Sequence, residues 1–140
     1  MQNSMKNAFL KTLNSFRQIL VVLLCVLLLV SFVITVIPKT FYTSLFSGNK
    51  FIDPLLGALL GSISAGNPIN SYILGGELLN QGISLLAVTA FILAWVTVGV
   101  VQLPAELLML GKKFALIRNS VSFITAIIVA FLTVMTISFI

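Results

Sequence analysis

Residues 53–82 read DPLLGALLGSISAGNPINSYILGGELLNQG, and the fold turns on how they are interpreted. Strongly apolar segments flank the stretch, yet it holds a Gly66-Asn67-Pro68 interruption, several small residues and Glu77. Asp53-Pro54 is a helix-start signal: aspartate accepts from the free N–H groups of a first turn, and proline suits the first helical position. The helix so begun reaches about Ala65 and stops at Gly66, a natural C-terminal cap. Asn67-Pro68 repeats the start signal, and a second helix runs to about Asn80 with Gly82 beyond it. Each piece has about 11–13 residues, under about 20 Å at 1.5 Å per residue. A bilayer core is about 30 Å thick, so neither piece crosses alone.

The rest of the chain says that a bilayer is its solvent. Of 140 residues 59% are apolar and 8% charged, and the mean hydropathy is +1.19. Soluble domains run about 45–50% apolar and about 25% charged. Residues 19–37, 83–103 and 120–140 each form an apolar run of spanning length, and we read them as three crossings. Residues 1–18 are polar and basic, with Phe9, Leu13 and Phe16 at helical spacing, which reads as an amphipathic cytoplasmic segment or a frayed terminus. A signal peptide is the rival reading of 19–37, but no small-residue cleavage site follows it. Phe41, Tyr42 and Phe46 beside Lys39 suit an interfacial belt. Pro104 is expected to kink the helix that starts at residue 83, which continues to Leu110.

Net charge is +5, with the basic residues at segment ends. Lys6, Lys11 and Arg17 precede the first run, and Lys112, Lys113 and Arg118 lie in a linker over 112–119. Both sets belong in the cytoplasm by the positive-inside rule. The hairpin over 53–82 must then enter and leave on the outer side. The expected fold is an all-α membrane protein with three spanning helices and a broken re-entrant hairpin. Residues 19–140 form one transmembrane domain. Nucleic-acid binding lacks the basic face with interleaved aromatics that it needs.

Chemistry is sparse. There is no histidine, one cysteine (Cys25) and three acids. Histidine-based triads, a Cys/His metal site and an intrachain disulfide are all excluded. No catalytic residue and no cofactor are expected, and the chain does not read as an enzyme. Broken backbone at membrane depth is tolerated only against protein or a wet cavity. The candidate solute-binding residues are therefore Ser64, Gly66, Asn67 and Pro68 at the break, with its free N–H groups after Asn67 favouring an anion or polarised oxygen and the carbonyls near Ser64–Gly66 favouring a cation. Asn70, Ser71, Glu77 and Gln81 join them on the second half-helix. Asn70, Leu74, Glu77 and Gln81 share one face, and Trp95, Gly99, Gln102 and Glu106 share another, so Gln102 and Glu106 are expected to face the hairpin. Glu77 reads either as a substrate or proton group or as a buried acid bonded to neighbouring amides. Glu106 reads either way too, its alternative being a surface acid near Lys112 and Lys113. Gly57, Gly61 and Ala65 form a small-residue face for close helix packing. The hydroxyls of the last helix should bond its own backbone.

These residues resemble the predicted permeases related to bacterial arsenical permeases. The resemblance rests on Leu56-Gly57-Ala58-Leu59-Leu60-Gly61, Ala65-Gly66-Asn67-Pro68, Leu78-Leu79-Asn80-Gln81-Gly82, Ala90-Phe91-Ile92 through Pro104, and the basic stretch from Leu110 to Arg118. It covers roughly residues 53–120. It implies a permease of the bacterial inner membrane with a cytoplasmic N-terminus, moving a small solute or ion through the break. Family members carry two such halves, so it implies a homodimer or a paired half-permease. Arsenical members have cysteines near the break, where this chain has Ser64, Ala65, Gly66 and Asn67. The alternative is a non-transporting scaffold or accessory subunit of a larger complex.

Overall fold

The computed structural model describes residues 2–36, 41, 44–64 and 67–139. The described residues hold no strand. The chain divides into two compact units, residues 1–37 and 38–140. The first is a single helix, α1 (Gln2–Val36), unbroken at the boundary expected at residue 18. The second carries α2 (Ile52–Ile63), α3 (Pro68–Asn80), α4 (Leu85–Thr97), α5 (Leu103–Met109) and α6 (Lys112–Ile137).

The seam between α2 and α4 organises the second unit. A Cβ on Gly57 would overlap the carbonyl oxygen of Ala87, and one on Gly61 would overlap that of Phe91. Only glycine permits backbones to touch this closely. Each step of four residues along α2 matches a step of four along α4, so the two helices run parallel. Ala58, Ala90, Ala94, Val98, Ala126 and Ala130 continue the contact as a buried, alanine-rich cluster shared with α6. α6 runs the other way: Asn119 meets Gly99 at one end, and Phe131 meets Phe51 at the other.

α3 returns antiparallel to α4. Its C-terminus closes through Ile83 N to Leu78 O at 3.1 Å and Gly82 N to Leu79 O at 2.9 Å, with Gly82 at φ +90°. This is the paired 6→1 and 5→2 pattern that a left-handed glycine allows. Gly75 is a packing notch against Ile92, whereas Gly76 faces open space.

Several expectations are corrected. Among the described residues one helix, α6, is long and apolar enough to cross a membrane, with only 11% of its apolar window buried within the protein. It begins at Lys112, so the basic stretch 112–119 is helix, not linker; Gly111 at φ +86° supplies the turn before it. The run over 83–103 is not one helix. α4 has 13 residues, about 20 Å at 1.5 Å each, and ends where Val98 turns extended at φ −102°, ψ 105°. The Gly99 N–H leaves the helical ladder to donate to Asn119 Oδ1 at 3.0 Å. Pro104 then sits at the start of α5 and kinks nothing. Asp53 does not cap α2 from outside. It lies in the first turn, 1% exposed, and its carboxylate accepts from Ser47 N at 3.1 Å and Gly48 N at 2.9 Å. Asn49 Oδ1 accepts from Phe51 N in its place. Phe46 is buried with Ile83, Ala87 and Val88 and belongs to the core, not to a belt. Tyr42, Lys39, Ala65 and Gly66 lie outside the described residues.

Gly61→Ala should destabilise the protein by about 1–3 kcal/mol or more, since the added methyl meets backbone that cannot rotate aside. Gly76→Ala, an open helical position, should stabilise it by about 0.5–1 kcal/mol. Thermal unfolding of the two variants in detergent micelles checks the opposite signs.

Candidate functional site: a cavity between two helix breaks

Because α2 and α4 are parallel and in register, their C-terminal ends lie side by side. The chain is interrupted at both places, between Ile63 and Pro68 and between Thr97 and Leu103. A cavity of about 170 Å³ lies there, lined by Ser64, Pro68, Trp95, Gly99, Gln102 and Arg118 among others. At a share of about 30 Å³ per water molecule, it has room for roughly five or six waters or a small solute.

Several backbone groups at the broken ends are satisfied locally. Asn67 caps α3, its Oδ1 accepting from Ile69 N at 3.0 Å, while Asn70 N donates to Asn67 O at 2.9 Å. Pro68 has no N–H to leave unpaired. The N–H groups after Asn67 are therefore occupied, contrary to the expectation that they stand free for an anion. On the α2 side the Ser64 hydroxyl donates to Leu60 O at 2.7 Å.

The second interruption is held from α6. Asn119 is 9% exposed and spends its whole amide: Oδ1 accepts from Gly99 N, and Nδ2 donates to Glu106 Oε2 at 3.0 Å and Ala115 O at 3.1 Å. The other Glu106 oxygen pairs with Arg118 Nη1. One short network thus joins the α4 end, α5, α6 and the cavity wall.

Of the residues expected at a site, Ser64, Pro68 and Gln102 do line the cavity. Asn67 is exposed beside it, and Gly66 is outside the described residues. Asn70 is half-buried, and Ser71 is fully buried with its hydroxyl on Pro68 O at 2.7 Å. Glu77 and Gln81 are elsewhere. Glu77 is nine residues along α3 from Pro68, about 13 Å at 1.5 Å per residue. Its carboxylate accepts from Asn80 Nδ2 at 3.3 Å and Gln81 Nε2 at 2.9 Å, the amide-bonded arrangement. Gln102 and Glu106 do not extend the Trp95 face of a continuous helix, because the break at Val98 ends that spacing. Glu106 turns to α6.

Arg118 and Asn119 were missed as site residues, having been assigned to a basic linker. A signal existed. Glu106 precedes Gly111 by five residues and Arg118 follows it by seven, a spacing that faces them across a helical hairpin closed at a left-handed glycine. Gly99 is the residue type that stopped the other helices, but the Asn119 partner that holds its N–H is 20 residues away.

Comparison with protein-family models, with curated proteins and with solved structures finds no match to this chain.

Asn119→Ala should remove partners from the Gly99 N–H and from Glu106 together, costing about 1–3 kcal/mol. Hydrogen exchange at the Gly99 amide should accelerate in this variant, while Asn80→Ala, at an exposed site, should leave that amide unchanged.

Proposed function

We propose that the chain is a half-length membrane permease subunit, and not an enzyme, that moves a small solute through the cavity between the two helix breaks. The observation that carries this reading is the meeting of two interrupted helices at one polar-lined cavity. Paired half-helix ends of this kind are how many transporters build a binding site in lipid. The greasy, barely buried surface of α6 supports a bilayer as the surroundings. The resemblance to the permeases related to bacterial arsenical permeases supports the same reading and adds a second copy or a paired half.

The proposed topology has crossings at 19–37, along α4 with α5, and along α6. α2 and α3 enter and leave from the outer side, and the N-terminus and Lys112–Lys113 lie in the cytoplasm of a bacterial cell. The cavity then sits toward the cytoplasmic end of the hairpin. A scaffold role has less support. The Gly57/Gly61 face that suggested it is used within the chain against α4 and is not free for a partner. Glu77 is not assigned to the solute path.

The test uses a thiol added after folding. In a Cys25→Ser background, Gln102→Cys reconstituted in vesicles should react with a water-soluble thiol reagent, and the reaction should abolish solute flux across a panel of small ions and polyols. Asn80→Cys, at the far end of α3, should react without effect on flux. Flux that survives full modification at residue 102 would rule out this path.

A further inference from the structure

Resting on that reading, we propose that the cavity selects a small oxyanion that keeps a proton, of the class of inorganic phosphate, with Arg118 as the specificity-determining residue. The argument is an inventory of donors and acceptors on the wall. Among the described residues Arg118 is the one charged residue that lines the cavity. Its guanidinium carries five N–H groups, and the hydrogen bond it makes among the described residues is the one to Glu106. Glu106 is itself held from its other oxygen by Asn119, so the carboxylate occupies a fixed part of the guanidinium and leaves further N–H groups without acceptors. Trp95 lines the same cavity, and its indole Nε1 is buried with no acceptor among the described residues. Indole nitrogen only donates. The Arg118 side chain is 36% exposed, so its remaining N–H groups reach solvent, whereas the Trp95 indole is a buried donor without a partner, which is costly; an oxyanion supplies acceptors to both. Planar, forked recognition of such groups is what arginine does better than lysine.

The remaining polar wall atoms refine the class. The Ser64 and Thr97 hydroxyls both donate to helix carbonyls, Leu60 O and Leu93 O, each at 2.7 Å. Their protons are spent, and their oxygens are left to accept. A solute that both accepts from arginine and indole and donates one O–H to these oxygens matches these four side chains, and the Gln102 amide on the same wall can donate or accept. Inorganic phosphate near neutral pH is such a solute, and a phosphate monoester headgroup of a lipid carries the same chemistry.

The chain has one tryptophan, so the candidate donor is its own reporter. The full-length protein in maltoside micelles, at constant ionic strength, is titrated with inorganic phosphate and separately with glycerol. Trp95 emission should change saturably with phosphate only. Arg118→Gln should weaken the response by about tenfold or more, the scale of one charge-assisted hydrogen bond. Arg118→Lys should fall between, keeping the charge but not the fork. The pair Arg118→Gln/Glu106→Gln leaves no orphan charge and should behave as Arg118→Gln, which separates lost binding from misfolding. Glu106→Gln alone should tighten phosphate binding by releasing the guanidinium. Repeating the titration in discs of phosphatidic acid separates the two sources: a response lost there assigns the site to a headgroup, and a response kept assigns it to free phosphate. A phosphate response unchanged in Arg118→Gln, or no response in the wild type, overturns the inference. Saturation with glycerol alone also overturns it while leaving the cavity a solute site. The permease reading itself stands or falls on flux after modification at residue 102.

Discussion

The backbone contact of Gly57 and Gly61 with the carbonyls of Ala87 and Phe91 sets the architecture of the second unit. Two helices that touch without intervening side chains are fixed in register as well as in distance, because each glycine admits one particular carbonyl. Register then decides where the helices end relative to one another. α2 stops at Ile63 and α4 at Thr97, and parallel alignment brings those ends to within about one turn of each other. Bulkier residues at 57 and 61 would push the helices to an ordinary side-chain separation and let them slide. The cavity is thus a consequence of the seam.

Interrupting a helix inside an apolar medium exposes backbone groups that lipid cannot satisfy. In this chain, side chains close to each break take up several of those groups. Asn67 takes one N–H and Pro68 removes another. Asn119 reaches from α6 to take the Gly99 N–H, and the same amide fixes Glu106. The C-terminal end of α3 closes through its own backbone at Gly82. Two residues with donors left over, Trp95 and Arg118, both line the cavity.

Features encoded locally could be read from the chain. The Asn67-Pro68 start of α3, its stop at Gly82, the small-residue face of α2 and the backbone-bonded hydroxyls of Thr133 and Thr136 on α6 all depend on neighbours within a few residues. The Asp53 start failed because the carboxylate answers to a turn at Ser47–Gly48 folded back on it. The break at Val98–Gln102 was hidden because the run around it is continuously apolar, and the side chain that holds it open lies one hairpin away. The grouping of Gln102 and Glu106 with Glu77 assumed an uninterrupted helix, and lost its basis with that helix. Arg118 looked like a topology charge because its pairing with Glu106 exists only once α5 and α6 fold against each other.

The central claim is that the two interruptions face one cavity. Crosslinking tests it most directly: Ser64→Cys with Gln102→Cys, in a Cys25→Ser background, treated in membranes with a short bifunctional thiol reagent. The account predicts an intramolecular bridge in the monomer, formed efficiently and lost when Gly61 is replaced by leucine. An α4 that instead continued through Gly99 would carry residue 102 beyond the end of α2. Two thiols that each react singly but never bridge would contradict the account.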